Sequence, residues 1–572
     1  MRLAILPLLA LLLSGQTFPE TSPLQGVSEP GTTLIYNANG IQIGSDGKLQ
    51  RFNALLVDSR TGRVKRVYRA GEKVPAEVGE AVDVNGRTLL PGLIDAHGHV
   101  MGLGLSAIQL DLVGTRSLEE LQERLRAYAA ANSGDSWIVG RGWNQELWPD
   151  KRFPTAADLD AVVADRPVWL GRVDGHASIA NSAAMRVAGV TAATKDPVGG
   201  KVERDATGNP TGLFIDSAEE LVASKVPPAS EAQLDEALRA AQRTLLSYGI
   251  TATADMGTSV EAWETYRRAG EAGELQMRIM SYAADVEPMR RIVPNGPTDW
   301  LYGDRLRMGG IKIYGDGALG SRGAWLKRPY ADQPDTSGLR FLSDEELRAK
   351  ADEAARRGVQ VAIHAIGDAA NAQAIGTFEW LNRRYPGDRR WRIEHLQVAD
   401  PADIPRLAPA GIIASMQPTH QTSDRLMAEK RLGPHRLAGA YAWQSILKSG
   451  ARLAFGSDYP VESPNPFPGL SAATSRQDMD GQPPGGWIPQ ERLTFEQALH
   501  AFTRGAAYAG FAEDRIGSLE PGKWADFILI DIDAAKADPQ WLARARVIET
   551  WVAGRKAWEI SGEPDDPPGR GK

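Results

Sequence analysis

The middle of the chain alternates between amphipathic helices and short apolar strands. Three helical segments begin with a Ser and have a Glu or Gln three residues later, which is the capping-box pattern typical of a helix N-terminus. They cover residues 117–132, 230–248 and 343–357. The second and third end at Gly249 and Gly358, and a strand-like run follows each glycine. Such repetition over about 400 residues indicates parallel βα units, and a closed eightfold barrel fits this length. We therefore predict an α/β fold with a central (β/α)8 TIM barrel.

The two ends of the chain differ from this middle. Residues 33–90 contain short β-rich runs separated by turn residues such as Ser45-Asp-Gly47 and Asn85-Gly86, and residues 512–558 are again strand-like. This arrangement predicts one small β-sandwich formed by both termini, with the barrel assigned to residues 91–511. Residues 559–572, which combine Pro with charged side chains, are predicted to be a disordered tail.

The first 17 residues are typical of a secretion signal. Arg2 precedes an almost wholly apolar run from Leu3 to Leu13, and Ser14 and Gly15 follow it. About eleven apolar residues are too few to span a bilayer. A buried N-terminal strand is the alternative interpretation. We predict an exported protein, periplasmic or secreted, without stable membrane insertion after signal removal.

Composition restricts the partners and ligands. The chain has 572 residues and a formal net charge of -7, so it lacks the basic excess that binds a phosphate backbone, and nucleic acid is not an expected partner. It contains no Cys, which means that any metal must be held by His, carboxylate or a modified Lys. The oligomeric state is left open, with a homodimer as one option.

Ionisable residues recur at the ends of the predicted strands, where such a barrel carries its active site. His97 and His99 follow the apolar strand of residues 89–94, and their spacing of two puts both imidazoles on one face of an extended backbone. Four further residues occupy matching places: Lys312, His364, His395 and Asp458. One strand-end His or Asp is more often a hydrogen-bonded loop residue, but six in matching places predict a metal site.

The motifs around these residues resemble the amidohydrolase superfamily of metal-dependent hydrolases. Within it they are similar to the branch that includes N-substituted formamide deformylase and exoenzyme regulatory protein homologues. The resemblance covers about residues 33–558 and rests on eight ordered motifs, at residues 91–99, 140–144, 172–176, 210–212, 312–317, 364–368, 392–395 and 456–458. It implies a barrel, a flanking β-sandwich and an insertion over the barrel mouth at about residues 135–225.

The resemblance also implies a ligand set. It places His97, His99 and Asp458 on one divalent ion, and His364 and His395 on another. Six ligands exceed what one tetrahedral ion takes, which favours two ions, with Zn²⁺ as the expected metal and a single ion as the alternative. An ammonium cannot bind a cation, so Lys312 would bridge only after carbamylation by carbon dioxide. Alternatively, an unmodified Lys312 pairs with Asp316 or with a substrate carboxylate.

This metal chemistry suits hydrolysis. A divalent ion polarises a carbonyl and lowers the pKa of bound water from about 16 toward 7. We expect a small-molecule amide as the partner. Metal-bound hydroxide is expected to attack a non-peptide C–N bond of an amide or of an N-formyl or N-acyl amine, and Asp458 is expected to act as general acid and base. One alternative is an ester or lactone hydrolase. Another is a non-catalytic binding or regulatory protein that kept the fold.

Further residues are predicted around this centre. His176 is expected to donate from a lid to the substrate carbonyl, with a structural role as the alternative. The predicted substrate contacts are Trp143, Asp316, Asp368 and His420. Five tryptophans near the predicted mouth either line an apolar pocket or pack the lid onto the barrel; they are Trp137, Trp143, Trp148, Trp169 and Trp325. His435 and His500 are interpreted as structural.

Overall fold

Eight parallel strands form the centre of the computed structural model, which describes residues 28–134, 136–172, 177–197 and 200–561. We number these strands in chain order: β1 Leu93–Gly98, β2 Ile250–Thr258, β3 Arg278–Ala283, β4 Leu306–Tyr314, β5 Gln360–Ala365, β6 Arg392–His395, β7 Ile413–Met416 and β8 Arg452–Phe455. Each strand pairs in parallel with the next one along the chain. The predicted (β/α)8 barrel is confirmed.

The barrel closes where β1 meets the segment that follows β8. The backbone N–H of Asp458 donates to the carbonyl of His97 at 2.7 Å, and that of His99 donates to Tyr459 at 2.9 Å. The buried Asp95 carboxylate accepts from the hydroxyl of Ser457 at 2.7 Å and from its backbone N–H at 3.1 Å. The first strand of the barrel and the segment after the last strand are therefore joined at the C-terminal face of the barrel.

The barrel strands separate two apolar layers. Ile94 and Ala96 of β1 belong to one buried cluster with Ala252 and Ala254 of β2. Leu93 belongs to the larger cluster that the surrounding helices cover. The main barrel helices are Glu231–Ser247, Val260–Glu271, Val286–Ile292, Asp344–Arg356, Asp368–Arg384, Pro418–Leu432, Trp443–Lys448 and Pro466–Ser475. This alternation follows from the two-residue period of a strand.

The predicted helix starts are present, with one difference. Ser230 and Ser343 form complete capping boxes at the helices Glu231–Ser247 and Asp344–Arg356. Ser117 accepts from the N–H of Glu120 at 3.2 Å and caps the helix Leu118–Ala131. The Glu120 carboxylate, however, accepts from the N–H of Arg116 rather than that of Ser117. The capping box predicted at Ser117 is therefore only half formed.

Both ends of the chain contribute to two packed sheets. A four-stranded sheet contains Ser28–Tyr36, Ala54–Asp58, Arg63–Tyr68 and Glu77–Asp83. A six-stranded sheet combines Asn39–Ile43, Leu49–Phe52 and Thr88–Pro91 with Phe527–Ile530, Val547–Val552 and Arg555–Glu559. Leu55 of the first sheet shares a buried cluster with Phe527 and Trp551 of the second. The predicted β-sandwich is formed by strands from both ends.

The segment between β1 and the helix Glu231–Ser247 forms a further six-stranded sheet. Its strands are Leu110–Asp111, Ile138–Trp143, Val168–Arg172, Ala177–Ala180, Gly200–Arg204 and Pro210–Asp216. Helices Leu118–Ala131, Ala156–Asp160 and Ser182–Ala188 accompany it. Ile215 and Asp216 reach the cavity at the C-terminal ends of the barrel strands. We call residues 110–223 the insertion, which begins before the predicted bounds of about 135–225.

Two predicted segments fall wholly or partly outside the described residues. They are the signal at residues 1–17 and, from residue 562 onward, the tail. Among the residues that the structure describes, none of the helices combines the length and the apolar character that a membrane span needs.

Candidate active site

A cavity of about 810 Å³ opens at the C-terminal ends of the barrel strands. Five of the six predicted metal ligands line it: His99, Lys312, His364, His395 and Asp458. The sixth, His97, is fully buried beside them, with its ring 4.6 Å from that of His395. The barrel therefore brings all six residues together.

His97, His99 and Asp458 form the first group of metal-binding atoms. Asp458 Oδ1 lies 3.1 Å from His99 Nε2 and 3.4 Å from His97 Nε2. One ligand atom from each residue falls within 4.8 Å of the other two. Two imidazoles and a carboxylate are donors that suit a divalent ion such as Zn²⁺.

Glu394 orients His97. Its Oε2 lies 2.6 Å from His97 Nδ1, which donates to it and leaves Nε2 as the bare nitrogen facing Lys312 and Asp458. Burial lowers the pKa of His97 to about 3, which favours the neutral ring that a metal requires. Glu394 is also fully buried; although burial alone would raise its pKa, Arg392 at 2.7 Å outweighs that effect and keeps the carboxylate ionised.

Asp458 is held as a carboxylate in a constrained backbone. Burial alone would raise its pKa, but the neighbouring imidazoles, above all those of His97 and His99, bring the pKa well below the usual range. Its φ is 62°, and that of His395 is 75°. Left-handed conformations of non-glycine residues cost of the order of 1–3 kcal/mol and concentrate at functional sites.

His395, His420 and Asp458 form a second group of metal-binding atoms within 4.8 Å of one another. His420 Nε2 lies 3.7 Å from Asp458 Oδ2, and Gln417 Oε1 lies 2.9 Å from His395 Nδ1. His364 is not in either group, although its ring is 4.6 Å from that of His395. Both His364 nitrogens are buried without a hydrogen-bond partner among the described residues.

Lys312 is buried between the two groups. Its Nζ lies 3.3 Å from His97 Nε2, and burial lowers the pKa of its ammonium to about 8. The alternative pairing with Asp316 is not seen in the described part of the chain. The Asp316 carboxylate instead accepts three backbone N–H groups at 2.8–2.9 Å, from Trp325, Ile366 and Gly367.

Comparison with known proteins shows which family this chain belongs to. Residues 80–557 match the profile of the amidohydrolase family. This chain belongs to the amidohydrolase family. It is 34% identical over 562 residues to Protein LONG AFTER FAR-RED 3 of Arabidopsis thaliana, and the aligned region covers 94% of each chain. It is 27% identical over 545 residues to N-substituted formamide deformylase of Arthrobacter pascens, covering 89% of this chain and 98% of the relative.

A solved structure supports the same placement. The crystal structure of an uncharacterized metal-dependent hydrolase from Pyrococcus furiosus superposes with a TM-score of 0.73 and 29% identity, covering 88% of this chain and all of that one. The protein is accordingly a member of the metal-dependent amidohydrolase superfamily. The donor sets described above fit the divalent metal of such a hydrolase.

Among the predicted substrate contacts, only His420 lines the cavity of this amidohydrolase family member. Trp143 is buried inside the insertion, where its Nε1 donates to Leu170 at 2.8 Å. Asp316 is occupied by backbone N–H groups, and Asp368 accepts from the N–H of Lys327. The structure therefore gives these three residues structural partners, and none of the three lines the cavity. His176 lies outside the described residues.

The cavity walls combine apolar and acidic side chains. The apolar ones include Ile215, Leu319, Ile366, Met427 and Val461, and the acidic ones beyond Asp458 are Asp216, Asp424 and Glu462. Trp148 and Trp169 are buried in clusters within the insertion, so two more of the clustered tryptophans pack the insertion. Among the described lining residues, Lys312 is the only Lys or Arg.

Proposed function

We propose that the protein hydrolyses a non-peptide C–N bond in a small amide or an N-formyl or N-acyl amine, with Asp458 as general acid and base. The observation that carries this proposal is the position of Asp458. Its carboxylate lines the cavity, belongs to both groups of metal-binding atoms and is held in its ionised form. An ionised carboxylate beside the site of attack is able to accept a proton.

The proposed reaction requires metal binding, orientation of a ligand and proton transfer, and different residues perform each task. When bound, a divalent ion polarises the substrate carbonyl and makes water a stronger nucleophile. His97 and His99 hold the metal, and Glu394 fixes the orientation of His97. Asp458 takes the proton released on attack and returns it to the departing nitrogen, which would otherwise leave as a strongly basic amide ion.

Lys312 is proposed to take part as a carbamate. Burial lowers the pKa of this amine to about 8, so about one tenth of it is neutral at pH 7, far more than for an exposed lysine, and a neutral amine adds carbon dioxide with loss of one proton. The product is a carboxylate beside His97. Protein loaded with zinc and ¹³C-bicarbonate should give a carbamate carbon signal by NMR, and the Lys312→Met variant should lack it. An unchanged signal in that variant would remove Lys312 from this role.

The substrate class is supported by the cavity and one relative. The apolar wall suits an apolar N-substituent. The relative from Arthrobacter pascens is named for the deformylation of N-substituted formamides. Zinc-loaded protein should therefore turn over members of a panel of N-formyl and N-acyl amines. Turnover of esters or lactones alone would replace the C–N assignment, and no turnover of any panel member would favour the non-catalytic alternative.

Export is proposed on the sequence of residues 1–17. Its basic start and short apolar run are typical of a cleaved signal. N-terminal sequencing of protein from its native host is expected to begin after about residue 17, since signal peptides are removed on export. A retained Met1 or Arg2 would contradict the proposal.

A further inference from the structure

One wall of the cavity is formed by a row of side chains on the helix Pro418–Leu432. His420, Asp424 and Met427 all line the cavity, and their spacing of four and three residues places them on one face of that helix. Side chains four residues apart are about 5–6 Å from each other at their Cβ atoms, so Asp424 lies one turn beyond His420. His420 Nε2 in turn lies 3.7 Å from Asp458 Oδ2. The row therefore leads away from the metal-binding region along the cavity wall.

A second carboxylate lies beside this row. Glu462, in the segment after β8, lines the same cavity. Its Oε1 accepts a hydrogen bond at 2.6 Å from the hydroxyl of Ser423, the residue that precedes Asp424 in the helix. Val461 and Met427 are the apolar lining residues nearest to the two carboxylates along the chain. This wall therefore combines two carboxylates with apolar surface.

Neither carboxylate has an ion-pair partner among the described residues. Asp424 Oδ2 accepts from the hydroxyl of Tyr441 at 2.7 Å, and Glu462 accepts from a serine hydroxyl, so both hydrogen-bond donors are neutral. Burial raises the pKa of Asp424, because it disfavours the charged form of the carboxyl group. Among the described lining residues, Lys312 is the only Lys or Arg, and it is itself buried. Within the described part of the chain, the negative charge of this wall thus has no compensating cation.

The first residue of the row gives separate evidence that a molecule binds along this wall. His420 is only 7% exposed, and its Nε2 has no hydrogen bond among the described residues. A buried polar atom without a partner is unfavourable, so this nitrogen indicates a ligand that enters the cavity. The cavity volume of about 810 Å³ is typical of a site for a whole small molecule. The wall is therefore a binding surface, and its two carboxylates face the bound molecule.

We propose that the N-substituent of the substrate carries a protonated amino group, which Asp424 and Glu462 bind. A carboxylate forms charge-assisted hydrogen bonds with an ammonium group, and these are about twice as strong as neutral ones. The formyl group of the smallest proposed substrates has no place for this charge, so the charge lies on the amine side of the scissile bond. The methylene groups between the amide and the ammonium then contact apolar lining residues such as Met427. This inference rests on the proposed hydrolysis and adds the charge of the substrate to it.

Three formamides of matched length test this charge preference. N-(4-aminobutyl)formamide ends in an ammonium group, N-pentylformamide ends in a methyl group, and N-formyl-5-aminopentanoate ends in a carboxylate. For zinc-loaded wild-type protein, kcat/KM should be highest for the first and lowest for the last, and the cationic compound should exceed the neutral one by about 10–100-fold. Asp424→Asn and Glu462→Gln should each lower this ratio, and the double variant should bring it close to one. The exposed Asp514 does not line the cavity, so Asp514→Asn is the matched control and should keep the wild-type ratio.

A binding measurement separates failure of this proposal from failure of the proposed hydrolysis. Pentylammonium has no bond to hydrolyse, and calorimetric titration should show that it binds to the wild type and far more weakly to the double variant. If Asp424→Asn unfolds on heating much earlier than the wild type, the comparison is made with Glu462→Gln alone.

Each further outcome has a definite meaning. Equal kcat/KM for the cationic and the neutral formamide in the wild type, or an unchanged ratio in the double variant, would overturn the charge preference and leave the hydrolysis intact. Binding of pentylammonium that depends on the two carboxylates, without turnover of any formamide, would overturn the hydrolysis and keep the cation-binding wall. The absence of both binding and turnover in the wild type would overturn both proposals.

Discussion

The two sides of the metal-binding region are constructed differently. On the β1 side, His97 Nδ1 donates to Glu394 and the backbone of Asp458 is bonded to β1. On the side of β5 to β7, both nitrogens of His364 and Nε2 of His420 are buried without hydrogen bonds among the described residues, although Asp316 Oδ1 lies 3.5 Å from His364 Nε2. An unpartnered buried polar atom costs about 1–3 kcal/mol. The β1 side is thus preorganised by the fold, whereas the other side leaves three buried imidazole nitrogens without hydrogen bonds among the described residues.

The largest expected effect comes from removing a ligand of the preorganised side. His97→Ala should lose metal and turnover together, because no other described imidazole occupies the place that Glu394 holds for His97. Turnover is expected to fall to background. Metal content and turnover are measured on the same preparation, with His435→Ala as the control. Normal metal content in His97→Ala would show that the β1 side is not the main site.

Asp458 lies where the two sides meet. Asp458→Asn should retain most of the metal, because the histidines remain, but should lose the proton transfer. The expected loss of turnover is about 10²–10⁴-fold. Measurements of metal content beside turnover separate the two roles. Near-normal turnover in the metal-loaded variant would assign the general base to another residue, with His176 as the first to test.

Glu394 is the residue that makes the β1 side preorganised. Glu394→Gln weakens the acceptor for His97 and removes the charge that pairs with Arg392, so metal affinity should fall about 10–100-fold. The unpaired Arg392 should also lower the free energy of unfolding by several kcal/mol, about 3–5 as for other broken buried pairs. Zinc titration and denaturant unfolding measure the two effects. Unchanged zinc affinity would mean that the orientation of His97 does not depend on Glu394.

Removal of the ions by a chelator compares the metal affinities of the two sides, and it has the smallest expected effect. If the β1 side binds its ion with less rearrangement, a chelator titration should remove two ions in two steps. The step for the β5 to β7 side should come first, at a chelator concentration lower by about tenfold, a difference of about 1.4 kcal/mol. Loss of both ions in a single step would show that the two sides bind with equal affinity.

The sequence was enough to predict the barrel and the residues at its strand ends. Each of these residues terminates a local apolar run, and the topology of a parallel barrel then brings such ends together. The sequence alone therefore places His364, His395 and Asp458 at the C-terminal ends of the barrel strands. The half-formed capping box at Ser117 was not predictable in the same way, because Glu120 has two neighbouring N–H groups to choose from.

Partnerships between distant segments were not predictable from local patterns. Glu394 lies in the motif at residues 392–395, but nothing nearby indicates that its carboxylate meets His97 of β1. The contacts of Gln397 with His420 and of Tyr441 with Asp424 likewise join three separate segments. Trp143 was expected at the substrate because tryptophans cluster in the insertion, yet the insertion has its own buried core, and Trp143 belongs to it. Residue type alone does not distinguish a buried aromatic from a cavity wall.

The six-stranded sheet has a consequence for synthesis of the protein. Phe527–Ile530 pairs with Thr88–Pro91, so the ribosome completes one partner long before the other. At about 5–20 residues per second, the intervening stretch of about 435 residues takes of the order of 20–90 seconds to make. During that time Thr88–Pro91 has its neighbour Asn39–Ile43 but lacks the strand that pairs with its other edge. Newly made chains should therefore depend on chaperones at this strand more than at strands β3 to β7 of the barrel, whose neighbours in the sheet are synthesised much sooner.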